Sequence, residues 1–376
     1  MTKKIRVGIL AGGQSGEHEV SLASAQSVLD AIDKDKYDVV LLGIDKQGRW
    51  LAGAEAQQLL GPAVARADAE TPPAEKEESD EAQASDVTRL VTPHRRNSSL
   101  VPPQSPLANV DVVFPVLHGP LGEDGTVQGL LELADIPYVG AGVAASAVGM
   151  DKALQKSIFT AHGLPIVPYW VALRSQWEKD PDAIIERVED HLPYPVFVKP
   201  ANLGSSVGVS KAHERDELIE GFNQACRYDR KLLVEQGLNV REVECSVLGN
   251  DEPVVSVVGE VRYRREFYDY IAKYTDGESD LLIPADLPES LANDIRMLAV
   301  RAYRALDVAG MARVDFFIEQ ESGRVFLNEV NTIPGFTKYS MYPKLWEASG
   351  LSYGELIDRL VKLALERHQD KKRSGL

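Results

Sequence analysis

The stretch KPANLGSSVGVSK, residues 199–211, opens with a lysine and continues with two glycines and three serines that have little bulk between them. Small residues leave backbone amides uncovered, so those of 204–208 can approach anionic oxygens closely, and Lys199 can reach the same phosphates as a point charge. The P-loop pattern G-x-x-x-x-G-K-[ST] occurs nowhere in the chain. With strands over 194–201 and 209–211, the stretch becomes a flap that can close over a nucleotide; a plain glycine-containing hairpin is the alternative.

A second stretch, MARVDFFIEQESGRVFLNEVN (311–331), predicts two strands joined by a turn near Ser322. Antiparallel pairing about that residue places Asp315 opposite Glu329 and Arg313 opposite Asn331, and the two-residue period of a strand puts all four side chains on one face. The other face is apolar and is predicted to pack inward through Val314, Phe316, Ile318, Phe326 and Val330.

This cluster has the chemistry of a magnesium site. Mg²⁺ binds through a few carboxylates together with phosphate oxygens, and Asp315, Glu329 and Asn331 supply two carboxylates and an amide oxygen. Arg313 beside them could hold the negative charge that develops on a reacting oxygen. A charged face on an exposed hairpin is the alternative.

The beginning of the chain predicts a doubly wound α/β unit. The segments 5–13 and 37–45 are apolar runs typical of buried parallel strands, and 17–32 between them predicts a helix. Residues 53–108 differ, because acidic residues and prolines crowd there, and we expect an acidic, mobile insertion. A further strand at 111–119 restores the pattern.

Later segments alternate between helix and strand. The helix over 123–136 has Asp124 or Thr126 as candidate N-caps. Antiparallel strands are predicted on either side of a turn at Gly249–Asn250, and the segment 288–308 predicts a long helix. An amphipathic helix closes the chain.

Composition narrows the class of protein. The chain has 376 residues, 44% of them hydrophobic, and a formal net charge of −16. This length suffices for two or three domains, and the acidic balance argues against a nucleic-acid partner or a membrane surface. No apolar run is long enough to span a membrane. Cys226 and Cys245 lack metal-binding spacing, which favours reduced thiols in a cytosolic protein.

Other motifs are weaker. GAGVAA (140–145) satisfies a dinucleotide fingerprint, but neither a strand nor an acidic residue follows at the distance that this fingerprint requires. His18 and His118 lie beside glycine-rich loops, where a structural and a catalytic role both remain open. The sequence shows no His–Asp–Ser order with a nucleophile elbow, and Cys226 and Cys245 have no evident base, so covalent catalysis is not favoured.

Six stretches together resemble the ATP-grasp superfamily and, within it, the D-alanine–D-alanine ligases. Their order in the chain matches the family's order: GGQSGEHEVSL (12–22), HGPLGEDGTVQG (118–129), GMDKALQK (149–156), KPANLGSSVGVSK (199–211), FYDYIAKY (267–274) and ARVDFF with FLNEVNTIPGFTKYS (312–340). The resemblance implies an N-terminal doubly wound α/β domain over 1–150, followed by a two-lobed ATP-grasp module. Its central lobe would span 151–235, and its C-terminal lobe, with the metal and substrate site, 236–376.

The resemblance also implies a reaction and its cofactors. ATP phosphorylates the carboxylate of one D-alanine, and the amine of a second D-alanine attacks this D-alanyl phosphate. The products are D-alanyl-D-alanine for peptidoglycan precursor synthesis, ADP and phosphate. Two Mg²⁺ ions are expected, with Mn²⁺ as a substitute, in a cytoplasmic homodimer whose partners are small molecules.

Residue roles follow from matching positions. The expected metal ligands are Asp315, Glu329 and Asn331. The expected nucleotide-binding residues are Lys152, Lys199, Ser206, Glu235, Leu238, Glu242 and Lys273. The expected catalytic and substrate-binding residues are Glu17, Ser205, Tyr274, Arg313, Gly335 and Ser340. The expected adenine contact departs most from the family pattern, because Gln236–Gly237 stands where that pattern has a bulkier pair.

Three alternatives stay open at this point. A related ligase could take D-lactate as its second substrate, a binding protein could hold a nucleotide or an amino acid without catalysis, and an oxidoreductase could use GAGVAA for NAD. An intact Lys199 together with the carboxylate cluster argues against a simple binding protein. The segment 270–280 is the expected lid over the site.

Overall fold

The computed structural model describes residues 4–67, 106–263 and 279–374. Its first sheet has the order β3-β2-β1-β4, in which β1, β2 and β4 are parallel and β3 pairs antiparallel with β2. The strands are β1 (Ile5–Gly12), β2 (Tyr37–Ile44), β3 (Trp50–Ala52) and β4 (Val112–Pro115). The helices α1 (His18–Ala31), α2 (Ala54–Ala67) and α3 (Thr126–Leu133) pack against this sheet, and α4 (Val143–Met150) and α5 (Lys152–Ala161) follow them in the chain.

A second sheet, wholly antiparallel, follows with the order β5-β8-β6-β7. It consists of β5 (Tyr169–Leu173), β6 (Val196–Pro200), β7 (Ser210–Ala212) and β8 (Lys231–Gln236). Three helices belong to it, namely α6 (Arg174–Lys179), α7 (Pro181–His191) and α8 (Arg215–Ala225). Trp177, Ile185, Phe222 and other apolar side chains from these helices and strands form its own core.

The third sheet has the order β11-β10-β9-β12-β13. Its strands are β9 (Val240–Gly249), β10 (Val254–Tyr263), β11 (Ser279–Leu282), β12 (Gly310–Glu319) and β13 (Val325–Asn331). The helix α9 (Glu289–Ala305) packs against this sheet. The chain ends with α10 (Met341–Ala348) and α11 (Tyr353–Lys372).

The final helix returns to the first sheet. Leu356, Ile357 and Leu360 of α11 are fully buried in one core with Val7 and Ile9 of β1. The opposite face of that sheet packs against α3 through a separate core. Since both faces of the parallel strands are covered, the doubly wound prediction for the N-terminal part is confirmed.

The structure corrects part of the predicted insertion. Residues 54–67, expected within an acidic, mobile segment over 53–108, instead form α2, whose Ala56 and Leu60 are buried. Leu59 and Leu60 pack against the first core, so α2 is part of the N-terminal fold. The acidic residues 68–105 lie outside the described residues.

Two further predictions were wrong in detail. Helix α3 begins after Gly125, which has φ +92°, and neither Asp124 nor Thr126 is its N-cap; Asp124 instead accepts hydrogen bonds from the amides of Leu121 and Thr126. In the hairpin, a bulge shifts the register between Asp315 and Phe316.

The bulge changes which apolar side chain faces the core. It pairs Leu327 with Phe316 and Phe326 with Phe317. Leu327, not Phe326, therefore joins Val314 and Phe316 in the core. A strict two-residue alternation could not have anticipated the extra residue in β13.

Candidate active site

The glycine-serine stretch is a flap between antiparallel strands, as its sequence predicts. β6 pairs with β7 from Val196 opposite Ala212 to Val198 opposite Ser210. Ser205 and Ser206 both have positive φ, +49° and +58°. Such a left-handed pair is unusual for non-glycine residues and turns successive backbone amides in a new direction.

Gly208 is required where the flap rejoins the sheet. Its φ is +71°, and a Cβ there would lie 2.6 Å from the ring of Tyr228 and 2.9 Å from Pro200. Any side chain would clash with these neighbours. The flap therefore lies close over the end of β6, the strand that carries Lys199.

Glu17, just before α1, meets the flap. The Ser205 hydroxyl donates a hydrogen bond to the Glu17 carboxylate. A Cβ on Gly204 or on Gly119 would lie 3.4 Å from Glu17 Oε2, so both loops approach this carboxylate closely. Three segments that are distant in sequence thus converge on one acid, and two of the predicted residues, Glu17 and Ser205, are brought into contact.

Two histidines lie nearby, His118 in the loop after β4 and His18 at the start of α1. The His118 ring lies beside the Ser24 hydroxyl at 3.5 Å and is buried. Burial lowers the pKa of His118 even though Glu17 opposes the shift, so the ring is neutral at pH 7. His18 is likewise buried, and its Nδ1 lies 2.6 Å from the Gly13 carbonyl oxygen, a contact that holds the loop before α1.

Glu123 was not singled out from the sequence. Its carboxylate accepts a hydrogen bond of 2.8 Å from the Gly119 amide. Burial, and then the nearby Glu17, raise the pKa of Glu123 to about 8. The HGPLGEDG motif contained this residue, but nothing in its spacing indicated that Glu123 would lie near Glu17.

Lys152, the first residue of α5, connects the flap to the carboxylate hairpin. Its ammonium group donates to the Leu203 carbonyl at 3.0 Å and pairs with Glu329 Oε2 at 3.0 Å. Burial opposes the charge of Lys152, but Glu329 outweighs it and the pKa of the lysine is raised. One lysine therefore links both motifs that the sequence singled out.

The hairpin has the predicted register at its functional end. Asp315 lies opposite Glu329 and Arg313 opposite Asn331. Arg313 donates two hydrogen bonds of 2.7 Å to the Asp315 carboxylate, and the Asn331 amide donates a third of 2.9 Å to Asp315. The prediction that these four residues share one face is confirmed.

A third carboxylate, Glu244, completes this face. It lies on β9 opposite Asp315 and pairs with Arg313 Nε at 2.9 Å. Burial opposes the charge of Arg313, but Asp315 and Glu244 outweigh it and raise its pKa well above the ordinary value. The alternation in REVECSV could have identified Glu244, because residues two apart on a strand share a face.

The donor set fits a hard cation. Asp315, Glu329 and Asn331 offer carboxylate and amide oxygens, which Mg²⁺ prefers. Across residues 4–67, 106–263 and 279–374, no three His, Cys, Asp or Glu side chains are grouped so as to hold a metal by themselves. Two carboxylates and an amide would leave coordination positions of the ion open for phosphate oxygens, as Mg²⁺ sites at nucleotides require.

Glu235 takes an unexpected position. Its side chain is 2% exposed and pairs with both Lys199, at 2.5 Å, and Lys156. Burial opposes its ionisation, but the two lysines outweigh this and lower the pKa of Glu235 to about 2. Lys156 was missed, although its place one turn after Lys152 puts both lysines on the same side of α5.

The segment joining β8 to β9 explains the glycine of the irregular pair Gln236–Gly237. The Gly237 amide bonds the Pro195 carbonyl at 2.7 Å, and a Cβ on Gly237 would lie 2.8 Å from that oxygen. A bulky residue cannot occupy this position without a shift of the backbone. Leu238 follows directly, and Glu242 lies on β9 opposite Phe317, on the face of Glu244 and Asp315.

The last predicted elements lie before α10. The Ser340 hydroxyl accepts from the Thr337 amide at 3.0 Å and lies 2.9 Å from the Thr337 hydroxyl. A Cβ on Gly335 would lie 3.0 Å from Ser340 Oγ, so the backbone passes close to that hydroxyl. Lys273 and Tyr274 fall outside the described residues, as does most of the expected lid.

Comparison with known proteins agrees with this geometry. Two family models match, one described as D-ala D-ala ligase N-terminus over residues 6–141 and one as D-ala D-ala ligase C-terminus over residues 158–362. A D-alanine–D-alanine ligase from Heliobacterium modesticaldum is 51% identical over 99% of this chain and 98% of its own length. One from Geobacillus thermodenitrificans is 48% identical over 98% and 97%.

Solved structures are similar over the whole chain. The D-alanine–D-alanine ligase from Coxiella burnetii has a TM-score of 0.78 and 35% identity, covering 99% of this chain and 97% of that one. The VanG D-Ala:D-Ser ligase from Enterococcus faecalis has a TM-score of 0.77 and 34% identity, covering 96% and 100%. Relatives with two different second substrates thus share this architecture.

Proposed function

Since this chain belongs to the D-alanine–D-alanine ligase family, we propose that it joins two molecules of D-alanine into D-alanyl-D-alanine with the conversion of ATP to ADP and phosphate. The relatives at about half identity carry that name, and D-lactate as second substrate is not favoured. The product would serve peptidoglycan precursor synthesis.

One observation carries the proposal, namely the double contact of Lys152. Its ammonium group touches the flap at the Leu203 carbonyl and the hairpin at Glu329. A phosphate held by the flap would therefore lie beside the carboxylates that suit Mg²⁺. This is the arrangement that phosphoryl transfer to a carboxylate needs, because the negative charges of both reactants must be neutralised together.

We assign the nucleotide to the cleft between the second and third sheets. Lys152 and Lys199 would contact its phosphates, and the backbone amides of the flap, Ser206 among them, would surround them. Leu238 would contact adenine, Glu242 the ribose, and Lys273 the phosphates from the lid. Glu235 would hold Lys199 in place through its ion pair with that lysine.

The first D-alanine would lie against α1 and the flap. Glu17 would accept its ammonium group, and the Ser205 hydroxyl, which bonds Glu17, would keep that carboxylate oriented. Tyr274 is proposed to close this subsite from the lid. The neutral His118 and the Gly119 backbone border it without adding charge.

The second D-alanine would bind at the start of α10. The Ser340 side chain makes no capping bond to that helix, so the first amides of α10 can face a carboxylate together with the Ser340 hydroxyl. This orientation would direct the amine of the second D-alanine towards the acylphosphate.

The chain's own groups would stabilise the reacting oxygens. Arg313, held by Asp315 and Glu244, is fixed in one orientation and permanently charged, so it can face the oxyanion that forms when the amine attacks. The Gly335 amide would be a second donor. Bound Mg²⁺, held by Asp315, Glu329 and Asn331, would neutralise phosphate charge.

Finer points of the proposal rest on family resemblance. We propose two Mg²⁺ ions with Mn²⁺ as a substitute, a homodimer and a cytoplasmic location. Among the helices of the described ranges, none is long and apolar enough to cross a bilayer.

ADP release by the purified protein with MgATP tests the proposal. D-alanine, L-alanine and a mixture of D-lactate with D-alanine would be compared, and the products identified by mass. Release with D-alanine alone and formation of the dipeptide are expected. ADP release that depends on D-lactate would change the assignment of the second substrate. No ADP release with any of these substrates would refute the ligase proposal.

A further inference from the structure

Three buried or partly buried charges meet at the end of the proposed phosphate site. The Glu235 carboxylate binds Lys199 through one oxygen and Lys156 through the other. The side chain of Lys199 is 16% exposed, while those of Lys156 and Glu235 are 3% and 2% exposed. Of these three side chains, only that of Lys199 can therefore reach a ligand.

The charges of this cluster do not cancel. Two lysines and one carboxylate give a net charge of +1. Without Lys156, the pair Glu235–Lys199 would be neutral, and the ammonium group nearest to the ligand would be compensated by its partner at 2.5 Å. In a buried setting such compensation is strong, because water screens it little.

We infer that Lys156 is a positioning residue for nucleotide binding, which neutralises Glu235 so that the charge of Lys199 remains available to the phosphates of ATP. This rests on the proposed function and names a residue that acts through Glu235 without touching the nucleotide. Burial lowers the pKa of Lys156, but the Glu235 carboxylate beside it opposes the shift and favours the charged form.

The position of Lys156 agrees with this role. It lies on α5 one turn after Lys152, and its ammonium group is 5.7 Å from the centre of the Tyr169 ring on β5. Tyr169 lies opposite Glu235 in the second sheet. The lysine is thus enclosed by protein and has Glu235 as its ionic partner.

The test is equilibrium binding of MgATP and of adenosine, measured by calorimetry without D-alanine so that no turnover occurs. In Lys156→Met we expect affinity for MgATP to fall about tenfold, as a lost charge contact of moderate strength predicts. Affinity for adenosine, which has no phosphates, should stay within about twofold of the wild-type value.

A double variant separates charge from packing. Lys156→Met combined with Glu235→Gln removes one charge of each sign and restores the net charge of +1 on Lys199. MgATP affinity should recover most of the loss, relative to Lys156→Met alone. A purely structural role predicts that the second substitution makes binding worse.

Two controls keep the result interpretable. Lys156→Gln retains a hydrogen-bond donor but not the charge, and it replaces Lys156→Met in the experiment if that variant fails to fold. It should weaken MgATP binding as much as Lys156→Met does. Arg215→Met breaks another ion pair beside the same sheet, with Glu189 at 3.6 Å, and should leave MgATP affinity unchanged.

Several results would overturn the inference. These are unchanged MgATP binding in both Lys156 variants, an equal loss for MgATP and adenosine, or no recovery in the double variant. Wild-type protein that binds neither ligand would refute the nucleotide site itself and this inference with it. Wild-type protein that binds MgATP but forms no dipeptide would refute only the ligase proposal.

Discussion

At the scale of single residues, the site is a set of charges that hold one another in place. Lys152 binds Glu329, Arg313 binds Asp315 and Glu244, and Glu235 binds two lysines. Each carboxylate is near a cation before any ligand arrives. The cost of burying these charges is offset only while the partners remain paired.

Glu329→Gln should nearly abolish turnover. The substitution removes one carboxylate from the proposed metal ligands and the partner of Lys152 at 3.0 Å. We expect kcat to fall by at least about 10²–10³-fold at saturating Mg²⁺, the range for loss of one charge-stabilising group.

The matched control is Glu321→Gln, at the exposed turn of the same hairpin. It should keep near-normal turnover in the same assay. Near-normal kcat in Glu329→Gln at saturating Mg²⁺ would instead show that the metal assignment is wrong.

Glu123 should make stability depend on pH. Burial and the nearby Glu17 raise its pKa to about 8 from an ordinary 4.5, so the folded protein keeps a proton that the unfolded chain releases. Its contribution to stability is therefore present at low pH and is lost as pH rises from about 4.5 towards 8.

Urea unfolding of metal-free and nucleotide-free protein would measure this effect. Glu123→Gln cannot ionise, so the difference between its free energy of unfolding and that of wild type should shift in favour of the variant's stability from about pH 5 to about pH 9. A constant difference between the two proteins at both pH values would contradict the shifted pKa.

At the scale of elements, α5 is fastened to the outer edge of β13. The Val330 amide donates to Gln155 Oε1 at 2.9 Å, and Gln155 Nε2 donates to the Val330 carbonyl at 3.2 Å. Val330 lies between Glu329 and Asn331. The Gln155 side chain bonds the backbone of β13 as a neighbouring strand would. It therefore sets the position of these two proposed metal ligands relative to Lys152, which lies one turn away on α5.

Gln155→Met should therefore lower both the stability of the protein and its apparent affinity for Mg²⁺. It leaves two backbone groups of Val330 without their partners, at a cost of about 1–3 kcal/mol in the free energy of unfolding. We also expect the Mg²⁺ concentration for half-maximal activity to rise severalfold, because the spacing of α5 and β13 is no longer fixed.

Asn250→Leu is the control for this prediction. It removes a side-chain bond to the backbone of α11, 3.1 Å to the Leu363 carbonyl, away from the site. Unfolding and Mg²⁺ titration of both variants would separate the effects. Equal Mg²⁺ dependence in Gln155→Met and wild type would show that Gln155 only stabilises the fold.

The sequence predicted the elements with strong periodicity better than the connections between them. The hairpin register at Arg313 and Asp315 followed from its turn, and the flap followed from its glycines. The bulge that exchanges Phe326 for Leu327 did not, because a bulge depends on the partner strands. Glu123 and Lys156 were missed since their partners, Glu17 and Glu235, lie far away in sequence.

At the scale of the whole molecule, the two ends of the chain share one core. The final helix α11 buries Leu356, Leu360 and Val361 against the first parallel sheet. The N-terminal fold therefore depends on residues more than 300 positions later, which apolar periodicity alone could not reveal. The domain boundaries at residues 150 and 235 stay a prediction.

Leu360→Ala should destabilise the whole protein. Leu360 is fully buried, and loss of a buried leucine costs about 2–5 kcal/mol in the free energy of unfolding. Lys362→Ala on the same helix, whose side chain is 67% exposed, should cost no more than about 0.5 kcal/mol. Urea unfolding measures both, and similar values for the two variants would contradict the role of α11.

The proposed phosphoryl transfer to D-alanine can be tested by following one oxygen atom. If D-alanine attacks ATP through its carboxylate, turnover of D-alanine labelled with ¹⁸O in that carboxylate must transfer one labelled oxygen to the released phosphate. Mass spectrometry of the phosphate and of the dipeptide would show this. We predict one ¹⁸O in each phosphate formed, in equal amount to D-alanyl-D-alanine; unlabelled phosphate would contradict the proposed chemistry of the site.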